Sequence, residues 1–140
     1  MEKCFVHLRV HSEYSLVDSL VRLSALVSNV AKMSMPAVGL TDLNNLFGLI
    51  KFYKLARKNG IKPIAGADVL VKYPEQEIPQ HLVLLVQNQL GYKNLTQLIS
   101  KAYLSKENNG AAVIEYSWLV QFNSGLIALS GGVKGEIGNL

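Results

Sequence analysis

Between Phe5 and Ser12 the side chains alternate: Phe5, His7, Arg9 and His11 fall on one face, Val6, Leu8 and Val10 on the other. A period of two predicts a short β-strand with one unusually polar face. Glu13 to Ser19 keeps no period and reads as a loop, from which Asp18 or Ser19 can cap the next element. Leu20, Leu23, Val27, Val30 and Ala31 then recur at helical spacing to about Met33, where Met35-Pro36 ends the helix. Ala37-Val38-Gly39-Leu40 reads as a short buried strand whose end delivers Thr41-Asp42-Leu43-Asn44-Asn45. Leu46, Leu49, Ile50, Tyr53 and Ala56 predict a second amphipathic helix, stopped by Asn59-Gly60.

The second half repeats the alternation of element types. Ile61 to Gly66 predicts a strand that continues through Ala67 to Tyr73 past a glycine able to bend or bulge it. Pro74 to Pro79 is a polar turn, and the apolar run His81 to Val86 predicts a fully buried strand. A third helix is expected from about Leu90 to Leu104, with Leu95, Leu98, Ile99 and Ala102 inward. An exposed loop at Lys106–Gly110 and a short helix at Ser117–Phe122 follow. Gly125 to Ser130 reads as another buried strand, and Gly131 to Ile137 as its exit into a helix. Strands alternating with helices imply parallel βα units. A last strand and helix start with nothing after them predict a piece of something longer.

Composition narrows the class. With 140 residues, 49% of them hydrophobic, the chain can bury a core and is not of disordered type. A single cysteine, Cys4, excludes an internal disulfide and fits a cytoplasmic setting. No apolar run approaches the roughly 20 residues of a membrane span, and the N-terminus leaves no room for a secretory signal. The net charge of +4 is scattered rather than interleaved with aromatics, which favours solvated surface over a nucleic-acid platform.

Candidate chemistry gathers at strand ends: His11, Asp42, Asp68 and Ser130, where βα sheets and barrels keep their sites. His-x-His on one strand face offers two imidazoles to one metal. Here the row is His7-x-Arg9-x-His11, and a guanidinium stays protonated and cannot ligate. Plainer roles stand beside these. His7 can be a hydrogen-bonded structural histidine, and His11 and His81 can be held by aspartate or backbone. Asp42 can cap a helix near Asn44 or Asn45. Ser130-Gly131-Gly132 lacks the ending of a phosphate-binding loop and reads as a flexible strand exit. Ser12 and Ser15 make no convincing nucleophile triad with the histidines.

Several stretches resemble one family in order along the chain: His7 to Ser15, Gly39 to Gly48, Gly60 to Gly66, His81 to Leu85, Gly91 to Leu95 and Leu129 to Gly132. They are similar to the opening of the alpha-subunit family of bacterial DNA polymerase III. Its N-terminal part is a polymerase-and-histidinol-phosphatase (PHP) domain, a distorted βα barrel related to metal-dependent phosphoesterases. The resemblance implies an α/β fold, with residues 1–140 forming the first half of such a barrel. The parts of the family that polymerise DNA by nucleotidyl transfer would be absent from this chain.

Metal-binding members of the family open with His-Leu-His-x-His, and the last two histidines are ligands. Here Arg9 takes the first of those positions and His11 the second. The family's Thr-Asp-His becomes Thr41-Asp42-Leu43, and Asp68 stands where a bridging glutamate is usual. His81 matches a ligand position unaltered. A fixed cation at Arg9 would repel a metal ion in the neighbouring subsite by about 4 kcal/mol at 4 Å and effective dielectric 20. The resemblance therefore implies a degenerate centre at Arg9, His11, Asp42, Leu43, Asp68 and His81, with Arg9 pairing to Asp68 or Asp42.

The expected function is a non-catalytic structural module of a replicative polymerase subunit that needs no cofactor. Its partners would be the rest of that subunit, the separate proofreading exonuclease subunit and, through the parent protein, DNA. The alternative is a Zn- or Mn-dependent phosphoesterase, either a 3′–5′ exonuclease or a pyrophosphatase. Direct nucleic-acid contact by the basic surface is a third.

Overall fold

Leu23, Val27 and Val30 recur at three- and four-residue spacing, and their burial defines helix α1, Leu23–Lys32, in a computed structural model that describes residues 5–105, 111–135 and 137–139. The loop expected at Lys106–Gly110 lies outside these residues. The chain divides into two units, Met1–Ala67 and Asp68–Leu140.

In the first unit α1 begins later than the apolar pattern suggests, because Leu20 is 93% exposed. Neither Asp18 nor Ser19 caps it. Arg22 holds the N-cap position without a side-chain bond, while the Ser19 hydroxyl accepts from Val21 N–H and donates to the His11 carbonyl. Strand β1, Ala37–Leu40, is buried throughout and pairs in parallel with Lys62–Ala65 of strand β2, Lys62–Lys72. Helix α2, Leu49–Lys58, turns Leu49, Phe52 and Ala56 inward. Ile50 and Tyr53, expected inward, are exposed, and Phe52, which the apolar pattern passed over, is fully buried. The helix starts only after Gly48, and its inward stripe runs i, i+3, i+7 from Leu49. These side chains join Val38, Leu40 and Ile61 in one core.

The opening segment lies parallel to β1 but is not a regular strand. It makes one bridge, His7 opposite Val38. Gly39 N–H donates to the His7 carbonyl at 2.7 Å, and Thr41 N–H to the Val10 carbonyl at 2.9 Å. The ladder stops because Val10 N–H is taken by the Thr41 hydroxyl at 3.0 Å. A Cβ on Gly39 would sit 2.8 Å from the Leu8 carbonyl oxygen, so glycine is what admits the segment to this distance. Glu13–Asp18, expected as loop, forms 3₁₀ turns with Leu16 at φ 57 inside them.

In the second unit, β2 runs on through Gly66 as one strand. Its Leu70–Lys72 pair in parallel with strand β4, Val113–Glu115, a strand too short for its alternation to show in the sequence. Strand β3, Gln80–Val86, buries only its centre, Val83 to Leu85, rather than its full length. Strand β5, Leu126–Ser130, pairs antiparallel with β3, in register from Leu82 opposite Ser130 to Val86 opposite Leu126. Beside the parallel pairs β1–β2 and β2–β4, this pair is antiparallel, so the parallel βα units carry one reversed strand. Helix α4, Tyr116–Gln121, and the turn after it bring the chain back to the end of β3, where Gln87 N–H meets the Gly125 carbonyl. A strand starting there must run against β3. β5 is also largely exposed rather than buried, because it stands last in the strand order. Helix α3, Gln89–Leu104, packs Leu95, Leu98 and Ala102 over β3, β4 and β5. Two 3₁₀ turns, Gly132–Lys134 and Ile137–Asn139, replace the helix expected after β5. No helix among the described residues is long and apolar enough to cross a membrane.

Candidate functional site

The end of β1 carries the first cluster. Asp42, just past the strand, is only 1% exposed, and its carboxylate is fully engaged. Oδ1 accepts from Ser12 N–H at 2.6 Å and from the Ser15 hydroxyl at 2.8 Å; Oδ2 accepts from the Ser12 hydroxyl at 2.8 Å. Both hydroxyls also accept, Ser12 from Tyr14 N–H at 3.2 Å and Ser15 from Leu43 N–H at 3.0 Å. A hydroxyl whose proton goes to a buried carboxylate is not poised as a nucleophile, in line with the absence of a triad signature. The expected helix cap by Asp42 is not formed. Asn45 shapes that turn instead, its amide donating to the Tyr14 and Leu43 carbonyls and its Oδ1 accepting from Phe47 N–H.

Nδ1 of His11 contacts the Asp18 carboxylate, whose side chain is 42% exposed. Leu43 follows Asp42 and brings an alkyl group where the family has an imidazole. Arg9 lies on the exposed side of the opening segment. Of the two partners expected for it, Asp68 or Asp42, Asp42 has its carboxylate hydrogen-bonded by Ser12 and Ser15. His7 is exposed and sets its ring edge-on to Phe5, at 4.7 Å between centroids, where a hydrogen-bonded histidine was expected.

The second cluster lies in the other unit. Asp68 is fully buried and sits within β2, not at a strand end, because the strand continues past Gly66. His81, near the start of β3, places Nδ1 2.9 Å from Asp68 Oδ1. Ser130-Gly131-Gly132 leaves β5 close against His81. A Cβ on Gly131 would meet the His81 carbonyl oxygen at 2.2 Å, so this backbone is pressed against the histidine's own. The serines and Gly131 are what sequence reasoning missed. Serines at positions 12 and 15 bracketing a Thr-Asp pair were a usable signal for a buried carboxylate. Nothing local in the sequence pointed Gly131 at His81.

A metal centre of the kind found in the family needs open carboxylates and several imidazoles converging on one point. The donors here do not fit that requirement. Asp42 already accepts three hydrogen bonds from Ser12 and Ser15, residue 43 is leucine, and among the described residues no three His, Cys, Asp or Glu side chains gather.

Comparison with known proteins gives this geometry a context. The model of the PHP domain family matches residues 7–140. The DNA polymerase III subunit alpha of Pseudomonas fluorescens is 50% identical over 139 residues, 99% of this chain and 12% of that protein. Its counterpart from Vibrio cholerae is 52% identical over 136 residues, 96% of this chain and 12% of that protein. The chain thus spans a small part of the length of these relatives. An amidohydrolase structure from Chromobacterium violaceum aligns with a TM-score of 0.57 at 21% identity, covering 71% of this chain and 33% of that one. That likeness is one of fold, consistent with part of a PHP-type barrel.

Proposed function

Since this chain belongs to the PHP domain family, we propose that it works as the opening PHP segment of a replicative DNA polymerase alpha subunit, with a structural rather than catalytic task. In this reading its partners are the remainder of the subunit, a proofreading exonuclease subunit that docks on it and, through the parent protein, DNA. Its setting is cytoplasmic, and it needs no metal. The observation that carries the proposal is the Asp42 carboxylate, closed off by Ser12 and Ser15 beside Leu43. A buried carboxylate with three donors already on it has its charge largely compensated and gains less from a cation than an open one.

The test is metal content and its restoration. Purified chain incubated with Zn or Mn and desalted should retain far less than one equivalent by elemental analysis. Arg9→His combined with Leu43→His should raise the retained metal several-fold, since it removes the fixed cation and returns two imidazoles. Near-stoichiometric metal in the unaltered chain, with phosphatase activity lost to chelator and to His11→Ala, would instead establish the phosphoesterase alternative.

A further inference from the structure

The outward side of α2 holds a feature that neither aspartate cluster uses. Met1–Ala67 carries nine lysines and arginines against four acidic residues, and Asp68–Leu140 carries five against six. The positive charge, expected to be scattered, is therefore concentrated in the first unit. Between Asp42 and Asp68 there is no acidic residue, while five cations occur there: Lys51, Lys54, Arg57, Lys58 and Lys62. The first four lie on α2 on the side away from Phe52 and Ala56, and all five are exposed. Among the described residues Lys54, Arg57, Lys58 and Lys62 make no ion pair. Lys51 rests over the Tyr14 ring, 5.9 Å from its centroid. Lys62 donates its N–H to the Pro36 carbonyl at 2.9 Å and stands opposite Ala37, so the basic surface reaches the end of β1 remote from Asp42. Tyr53 borders the same face one turn before Arg57 and is 52% exposed.

The helix dipole accounts for part of this pattern. Arg57 and Lys58 lie in the last turn of α2, where cations are favoured. Lys51 and Lys54 lie before that turn and Lys62 beyond the helix, so the dipole does not explain them. A merely solvated helix face commonly sets glutamates one turn from its lysines, and α2 has none. Lys54 instead has Lys58 and Arg57 as its neighbours one turn on, and such like charges repel until a polyanion lies along them. The exposed ring of Tyr53 adds what phosphate binding alone does not require, a flat face on which a base can stack. Bases in a duplex are already stacked on one another and cannot use it, whereas those of a single strand can. We propose that the outward face of α2 binds single-stranded DNA, with phosphates on Lys51, Lys54, Arg57, Lys58 and Lys62 and a base on Tyr53. The choice of DNA among polyanions rests on the reading above, in which the parent protein works on DNA; the contact made by this segment itself is what is added.

The test uses the full chain and a labelled oligo-dT of about 20 nucleotides, read by fluorescence anisotropy from about 50 to 200 mM NaCl. Binding should be in the range of about 10–100 μM at the lowest salt, and log K should fall against log salt with a slope of about −2 to −3, at roughly 0.7 per phosphate contacted. Lys54→Gln with Lys58→Gln should weaken binding about tenfold and flatten the slope by about 1.4. Lys93→Gln with Lys134→Gln removes the same charge from exposed positions of the second unit and should change binding by less than about twofold. Tyr53→Leu should weaken oligo-dT about fivefold with the slope unchanged, and leave a duplex of equal length unaffected. All these positions are exposed, and an unchanged urea midpoint checks each fold. No binding at the lowest salt, equal weakening by the two double variants, or polyglutamate bound as tightly as oligo-dT would each overturn the proposal. So would an unchanged affinity in Tyr53→Leu. None of these residues enters the metal-retention test, so a failure here and a failure of the structural reading are told apart.

Discussion

Two buried aspartates at comparable depth have been given opposite company. Asp42 meets two serines and a backbone N–H, each a donor held in place by a short 3₁₀ segment. Asp68 meets the imidazole of His81, the pairing by which metal sites commonly orient a histidine. The first arrangement spends its carboxylate on the fold, whereas the second retains the outline of a site. In the first unit the carboxylate is held in a polar clamp, and in the second it is paired with a single imidazole.

That contrast can be broken by substitution. The largest effect is expected from Asp42→Ala, which strands three buried or partly buried donors and removes hydrogen bonds to a charged group. About 4 kcal/mol of stability should be lost, read as the shift in urea midpoint at constant slope. A loss below about 1 kcal/mol would mean that the serines are readily satisfied elsewhere. Gly131→Ala comes next: the new methyl must displace the His81 backbone, for about 2 kcal/mol, and the Tyr73 side of the same unit should be unaffected. Wild-type stability in this variant would show that the close approach is not maintained in solution. The smallest effects distinguish the two histidines. In double-mutant cycles, His81 with Asp68 should couple by about 1–2 kcal/mol. His11 with Asp18 should couple by under about 1 kcal/mol, because the Asp18 side chain is 42% exposed. Equal couplings would erase the distinction between a buried and a solvated pair.

The sequence was most legible where one physical signal acted alone. The buried run Ala37 to Leu40, the stripe of α1 and the breaks at Met35-Pro36 and Asn59-Gly60 needed only local pattern. It was least legible where distant residues settled the outcome. The antiparallel placement of β5 depends on where α4 returns the chain, which no local period encodes. Ile50 and Tyr53 are as apolar as Phe52, and only the starting point of α2 decides which of them turns inward. At the candidate site the residue types could be read but their partners could not. The sequence offered Asp42 as an open carboxylate, yet Ser12 and Ser15, which carry no charge, are what bond it.

The clamp on Asp42 has a consequence for how the first unit assembles. Its partners lie 30 and 27 residues earlier in the chain, and the Thr41 contact with Val10 spans 31. Each of these bonds closes a loop that contains the whole of α1 and β1. Loop closure over such a span is an entropic cost met before any reward, so the clamp belongs to the late part of folding. Mutations in it should then quicken unfolding while leaving refolding nearly unchanged. Protection of the Ser12 N–H from hydrogen exchange should then follow the Asp42 carboxylate, and that of the Val10 N–H the Thr41 hydroxyl.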